Sequence, residues 1–462
     1  MTAGARSEAV NYSSSVKRVT SHTGPGSEGD PRAKSLRRVV IGVGLLALSQ
    51  ILIFPPGSDV SPFSVYNGGA VVKSYGGATV QVWAILLLLA ICGFGLARSQ
   101  PSTGGSGFGW TLVAIATALV SGAVTSSDFA VFAEGTGKII LPLMIFSYLI
   151  ATMREGDSRT IVRLVIAINV FTAGQSLVCK VLTGSFASNM YYVELPQEYF
   201  GYFYHPFAFA GILSACMVVV VNEFVNGRHR GLMASLAAVN LYLIAGTQVR
   251  TYILGTAAMF LIAVVGLTIG KKRPVLTLVI AGGLSLAALV VGQGLVANSR
   301  VTTDVSSGRL DRWVTDVHYV WSTASPVDLI IGAGPGRISD VNQQLFGIHI
   351  NSLNAAVDSF VDFGVLGLLT MLISWYLLVR AQYLANRSPL VLSAAALLVI
   401  SAAVTNPLEF PAVGVTMVLA IVAVSSSAGS MAPARGGKRS ASHAIGGSTA
   451  HSTIPGRSGL DG

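Results

Sequence analysis

The chain has 462 residues, 52% of them hydrophobic, 11% charged, with a formal charge of +10. A soluble domain carries about 25% charge, so a water-soluble globular fold is excluded and an all-α polytopic membrane protein is expected. The positive balance does not point to nucleic acid, because it follows the positive-inside pattern of membrane loops.

Residues 1–37 are rich in Ser, Gly and charge, and read as a disordered cytoplasmic tail. A spanning helix needs about 20 apolar residues. Twelve runs qualify in chain order, near 38–54, 80–97, 108–126, 138–153, 161–182, 203–225, 231–248, 251–269, 275–297, 355–379, 389–405 and 410–427. Residues 428–462 read as a second cytoplasmic tail. The core membrane domain is therefore expected over 38–427. With both ends cytoplasmic, the inner side holds 22 of the 30 Lys and Arg, while 13 of the 20 acids face outward. Cys92, Cys179 and Cys216 fall in spans and read as small packing residues, with no disulfide framework.

One connection stands apart. Residues 298–354 form a large loop between spans nine and ten, on the outer face. Long loops in compact chains tend to carry function. Within it, "SSGRLDRWVTDVHYVW" places Leu310, Trp313, Val314, Val317 and Val320 at helical spacing. An amphipathic surface helix is expected, with Ser306 or Ser307 as N-cap. Asp311, Arg312 and Asp316 read as its solvated charged face. The following "IIGAGPGRISD" lacks the GxGxxG spacing of a dinucleotide site. It reads as a tight turn that brings backbone close to a ligand or a helix. Next, Asn351, Asn354, Asp358 and Asp362 are spaced to share one helix face. Carboxylates near hydrocarbon need water or a partner.

Arg250 is singled out by position. It lies at the outer mouth of the 251–269 run, where arginine is scarce. Two readings stand: snorkelling to headgroup phosphates, or binding a phosphate-bearing ligand.

Four local patterns, in this order, resemble the O-antigen ligase and polysaccharide polymerase family of bacterial inner-membrane proteins. "FGYFYHPFAFAG" is similar to the family's glycine, aromatic, His/Asn-Pro stretch and supplies His205. "AGTQVRTYILG" is similar to its Ser/Thr-x-x-Arg segment and supplies Arg250. "SSGRLDRW" is similar to its Gly-Arg-x-x-x-Trp loop start and supplies Arg309. "LNAAVDSFVDFGVLGLL" is similar to its Asn-x-x-Leu…Gly-x-x-Gly lead into the next span, aligning Asn354, Gly364 and Gly367. The resemblance covers roughly residues 80 to 425. Two positions depart from the pattern: Leu353 stands where the family has histidine, and Phe207 where many members have asparagine.

The resemblance implies a membrane enzyme. It would transfer a polyprenyl-pyrophosphate-linked oligosaccharide to an acceptor hydroxyl on the outer face of the bacterial inner membrane, with no cofactor and no metal. Arg250 and Arg309 would bind the pyrophosphate. His349 or Asp358 would take the acceptor proton. His205, Asn354 and Arg312 would contact substrate, although His205 reads first as a helix-start residue packed beside Pro206. Implied partners are the lipid-linked oligosaccharide, an acceptor glycan, membrane lipids, and a flippase and chain-length regulator; nucleic acid is not among them. The "NAAVD" stretch favours a polymerase of exopolysaccharide assembly. A ligase to another acceptor, and a lipid-linked oligosaccharide flippase, are the alternatives.

Overall fold

A computed structural model describes residues 31–52, 76–98, 105–125, 129–153, 157–186, 199–203, 205–247, 249–269, 309–347, 352–407 and 410–428. The expected span at 275–297, His349, Asn351 and the Ser306/Ser307 cap lie outside the described residues, as do 1–30 and 429–462.

The described chain is all-helical. Its elements are α1 Pro31–Leu52, α2 Gly76–Arg98, α3 Gly105–Thr125, α4 Phe129–Thr152, α5 Ser158–Thr183, α6 Pro206–Val225 and α7 Arg230–Gly246. They continue with α8 Arg250–Ile269, α9 Arg309–Thr323, α10 Pro326–Ile331, α11 Arg337–Phe346, α12 Ala355–Asn386, α13 Pro389–Val404 and α14 Pro411–Ala428. Among the described residues, six helices are long and apolar enough to cross a membrane: stretches of α2, α4, α5, α6, α8 and α12. Four more apolar helices, α3, α7, α13 and α14, are shorter. Long apolar helices are what a bilayer selects, because every backbone donor must be satisfied inside the segment.

One boundary differs from expectation. Helix α1 starts at Pro31, not at residue 38, so the expected tail 1–37 ends inside a helix. Proline suits a first helical turn, since its missing N–H is not needed there. The basic residues Lys34, Arg37 and Arg38 then sit on the polar opening turns, before the apolar stretch.

Helices α6 and α14 form the centre. Most of their residues are buried, including Phe209, Leu213, Met217, Val413, Met417 and Ile421. Around them pack α4, α5, α7, α8, α12 and α13. Cys92, Cys179 and Cys216 are buried thiols not joined in disulfides.

The direction of the central helices follows from their contacts. Gly211 of α6 lies against Tyr252 of α8 and Val413 of α14. Thr256 Oγ1 of α8 donates to Ser214 Oγ of α6 at 2.8 Å. His205 meets the Phe410 ring at 5.0 Å. So α6, α8 and α14 run parallel and begin together. Helix α13 reaches α14 through a short connection and ends at the same place. Asn354, the N-cap of α12, donates from Nδ2 to the Ala403 carbonyl near the end of α13 at 2.9 Å. Four helix starts therefore meet at one end of the bundle.

Between residues 309 and 346 lie the three shorter helices α9, α10 and α11. They pack on the first turns of α12. Val320, Ile338, Val341, Phe360 and Val361 make their small shared core.

Candidate functional site

The end where the helices begin is also where polar side chains gather. Arg309 opens α9 and bridges to the bundle. Its Nη1 donates to the Val404 carbonyl at 3.1 Å, and its guanidinium lies 6.0 Å from the Phe207 ring centroid. That range allows a cation–π contact. Phenylalanine at 207 thus has a local role. His205 is buried and caps α6: its Nδ1 accepts from the Phe207 N–H at 3.1 Å, and its ring stacks on Phe207 at 5.0 Å. This is the packed helix start that its position beside Pro206 suggests.

The lead into α12 is fixed by a chain of hydrogen bonds. Trp313 Nε1 of α9 donates to the Ser352 carbonyl at 2.7 Å. Ser352 in turn donates from its N–H (3.0 Å) and its hydroxyl to Asp358 Oδ1. Asn406 Nδ2 donates to Asp358 Oδ2. Asn354 Oδ1 accepts from the N–H groups of Ala356 and Val357. Leu353 stands between them with φ 61°, a left-handed backbone that a leucine rarely adopts. Asp358 thus has both oxygens engaged and ties three segments together.

Asp362, one turn on, caps a different element. Its carboxylate accepts from the N–H of Gly336 and of Ile338, each at 3.1 Å, at the start of α11. A carboxylate there also meets the positive end of that helix. The glycine-rich turn lies alongside. Gly334 N–H donates to the Asp362 carbonyl at 2.9 Å, and Ser121 of α3 donates to the same carbonyl at 3.1 Å. Gly364 breaks the regularity of α12 with φ 69° and ψ −173°. The turn "IIGAGPG" therefore serves close approach to a helix, one of its two expected roles.

Asp316 corrects an expectation. The sequence places it on a solvated face; the structure buries it completely. The reason is geometric. Asp316 lies three residues after Trp313 and four before Val320, so the face that packs on α11 and α12 carries it inward. Among the described residues neither of its oxygens has a hydrogen-bond partner, and the same is true of the buried Arg312 Nε. Burial pushes the Asp316 carboxyl up to about 6; Arg312 offsets part of that rise and Asp358 adds to it. Asp311 and His318 are exposed, as a solvated face requires.

Arg250 begins α8 at this same end and is exposed. The structure thus brings Arg309, Arg312, Asn354, Asp358 and His205 into one region of the bundle, with Arg250 at its edge. No group of three His, Cys, Asp or Glu side chains suited to a metal ion occurs among the described residues. No protein-family model matches the chain, and no curated protein matches it.

Proposed function

We propose that the chain is a membrane glycan polymerase that transfers a polyprenyl-pyrophosphate-linked oligosaccharide to an acceptor hydroxyl at the outer face of a bacterial inner membrane. In this reading twelve spans cross the bilayer, both termini are cytoplasmic, and residues 298–354 face outward. One observation carries the reading. Arg309, Arg312, Asp316 and Asp358 gather where four apolar helices begin and where Arg250 opens α8.

The chemistry asks for such a mixture. The departing lipid pyrophosphate gains charge as its bond to the sugar breaks. Guanidinium groups remain charged and bind phosphate through paired donors. Helix starts add N–H groups and a positive partial charge. A dry setting strengthens both effects. The attacking hydroxyl needs a proton acceptor. The donor is already activated, so no nucleotide sugar enters the reaction. The order of the four family-like motifs and the charge asymmetry of the loops support the same reading.

A reconstituted assay tests it. Purified chain in lipid nanodiscs, given a lipid-linked oligosaccharide and no nucleotide sugar, should form longer glycans. Transfer to an unrelated acceptor, without chain growth, would favour a ligase. Absence of any new glycosidic bond under conditions where the protein stays folded would overturn the enzymatic reading.

A further inference from the structure

Most polar groups at this end of the bundle are satisfied. Asp358 is held by Ser352 and Asn406, Asp362 by the start of α11, and Asn354 by the start of α12. Two are not. The carboxylate of Asp316 is fully buried, and among the described residues neither oxygen is hydrogen-bonded. One helical turn earlier, Arg312 Nε is buried and equally without a partner. Burying an unpaired charge is among the costliest things a fold can do. These two opposite charges sit a turn apart on one helix, yet Asp316 accepts no hydrogen bond from Arg312.

The missing partner can be described chemically. An ionised carboxylate only accepts hydrogen bonds, and a guanidinium only donates them. A group that serves both at once must donate and accept. A hydroxyl does this. A phosphate, which at neutral pH is mainly an acceptor, would satisfy Arg312 and repel Asp316. Asp358 lies close enough for its charge to act on Asp316, which makes the spot still less suited to an anion. Arg312 is half-buried, so the pair extends from the interior to the surface.

We infer that Arg312 and Asp316 form the seat of the attacking acceptor-sugar hydroxyl, with Asp316 as the group that takes its proton. The inference rests on the function proposed above and gives Asp316, which no family-like motif marks, a part in it beside Arg312. The step balances. The hydroxyl proton passes to an Asp316 oxygen. The freed oxygen forms a bond to the anomeric carbon of the donor sugar. The bond from that carbon to the pyrophosphate oxygen breaks, and its electron pair leaves with the lipid pyrophosphate. Arg312 Nε donates to the attacking oxygen and orients it. The charges acting on Asp316 are Arg312 from its own helix and Asp358 from α12. Helix α11 contributes the apolar Ile338 and Val341 to the shared core beside it. A carboxylate that titrates near 6 in that setting is a better proton acceptor at neutral pH than an ordinary aspartate.

The test uses the full chain in nanodiscs. A radiolabelled oligosaccharide on a polyprenyl pyrophosphate is the donor, and the same oligosaccharide on a short alkyl chain is the acceptor. Initial rates are measured from pH 5 to 8. Wild type should rise through about pH 6 and level off. Asp316→Asn should lose about 10²–10⁴-fold and lack that rise, with donor KM little changed. Arg312→Gln should raise acceptor KM more than donor KM. Thermal unfolding at pH 7 supplies a readout free of activity: Asp316→Asn should melt at or above the wild-type temperature, because a neutral amide costs less to bury than a carboxylate. An Asp316→Asn variant with wild-type rate and pH profile would overturn the inference while leaving the polymerase reading in place. So would a variant that melts lower and keeps the wild-type pH profile in its residual activity, since Asp316 would then be structural. A folded wild type that transfers nothing would remove the polymerase reading and this inference with it.

Discussion

Gly332 and Gly364 lie back to back: a Cβ on Gly364 would come within 2.5 Å of the Gly332 nitrogen, and a Cβ on Gly332 within 2.4 Å of the Phe363 Cα. Both have positive φ, 86° and 69°. No other residue type fits either place without moving backbone. Gly364→Ala should therefore cost about 3 kcal/mol or more, by overpacking together with left-handed strain. Gly174→Ala, in open space on α5, should be neutral or stabilise by up to about 1 kcal/mol. Thermal melts of the two variants in detergent check this. Equal melting temperatures would mean that the turn and the kink adjust independently.

The arginines are tested by substitution. If Arg250 binds the leaving pyrophosphate, Arg250→Ala should lose about 2–4 kcal/mol of barrier lowering. Arg250→Lys should also be impaired, because one ammonium does not reproduce paired donors. Glycan yield at matched protein level is the measurement. Unchanged yield from Arg250→Ala would leave that guanidinium as a headgroup anchor.

Two candidates for the acceptor base, His349 and Asp358, are tested by separate substitutions. Asp358 accepts from the Ser352 N–H, the Ser352 hydroxyl and Asn406 Nδ2. In Asp358→Asn an amide NH2 would face one of these donors, at a cost of about 1–3 kcal/mol. That variant should melt lower and lose activity with its fold. His349→Ala is read by polymer yield at matched protein level. Loss of polymer in folded, stable His349→Ala would make the imidazole essential and would compete directly with Asp316.

Orientation is tested by labelling. The native thiols are buried, so they offer little background. A cysteine at exposed Asp311 should react with an impermeant maleimide on intact cells, and one at Arg228 should not. The reverse pattern would turn the bundle over and place the site on the cytoplasmic side.

How much of this was legible beforehand differs by element. Among the described residues, helices occupy eleven of the twelve expected runs, because long apolar segments have few alternatives in lipid. The α9 helix was readable from the spacing of Trp313, Val317 and Val320. Its packed face departs from the expected pattern at Asp316, because a charged residue at an inward position looks like surface until its partner helices are known. The spacing Trp313, Asp316, Val320 carried the signal. The glycines of "GAGPG" announced a close approach, yet not that its partner was Gly364, some thirty residues on. Pairings of that kind come from tertiary packing, which leaves no local trace. Likewise Asn354, expected on one helix face with Asp358 and Asp362, stands before that face as the N-cap of α12, and its second bond to Ala403 leaves no local trace.

The shared starting point of α6, α8, α12 and α14 has a consequence for variation. Part of the positive potential there resides in peptide groups at the helix starts, which every sequence possesses. Side chains can change and this background field persists, because it is fixed by helix direction. Replacement of single arginines should accordingly give graded losses, while reversing or unwinding one of those first turns would alter the field itself.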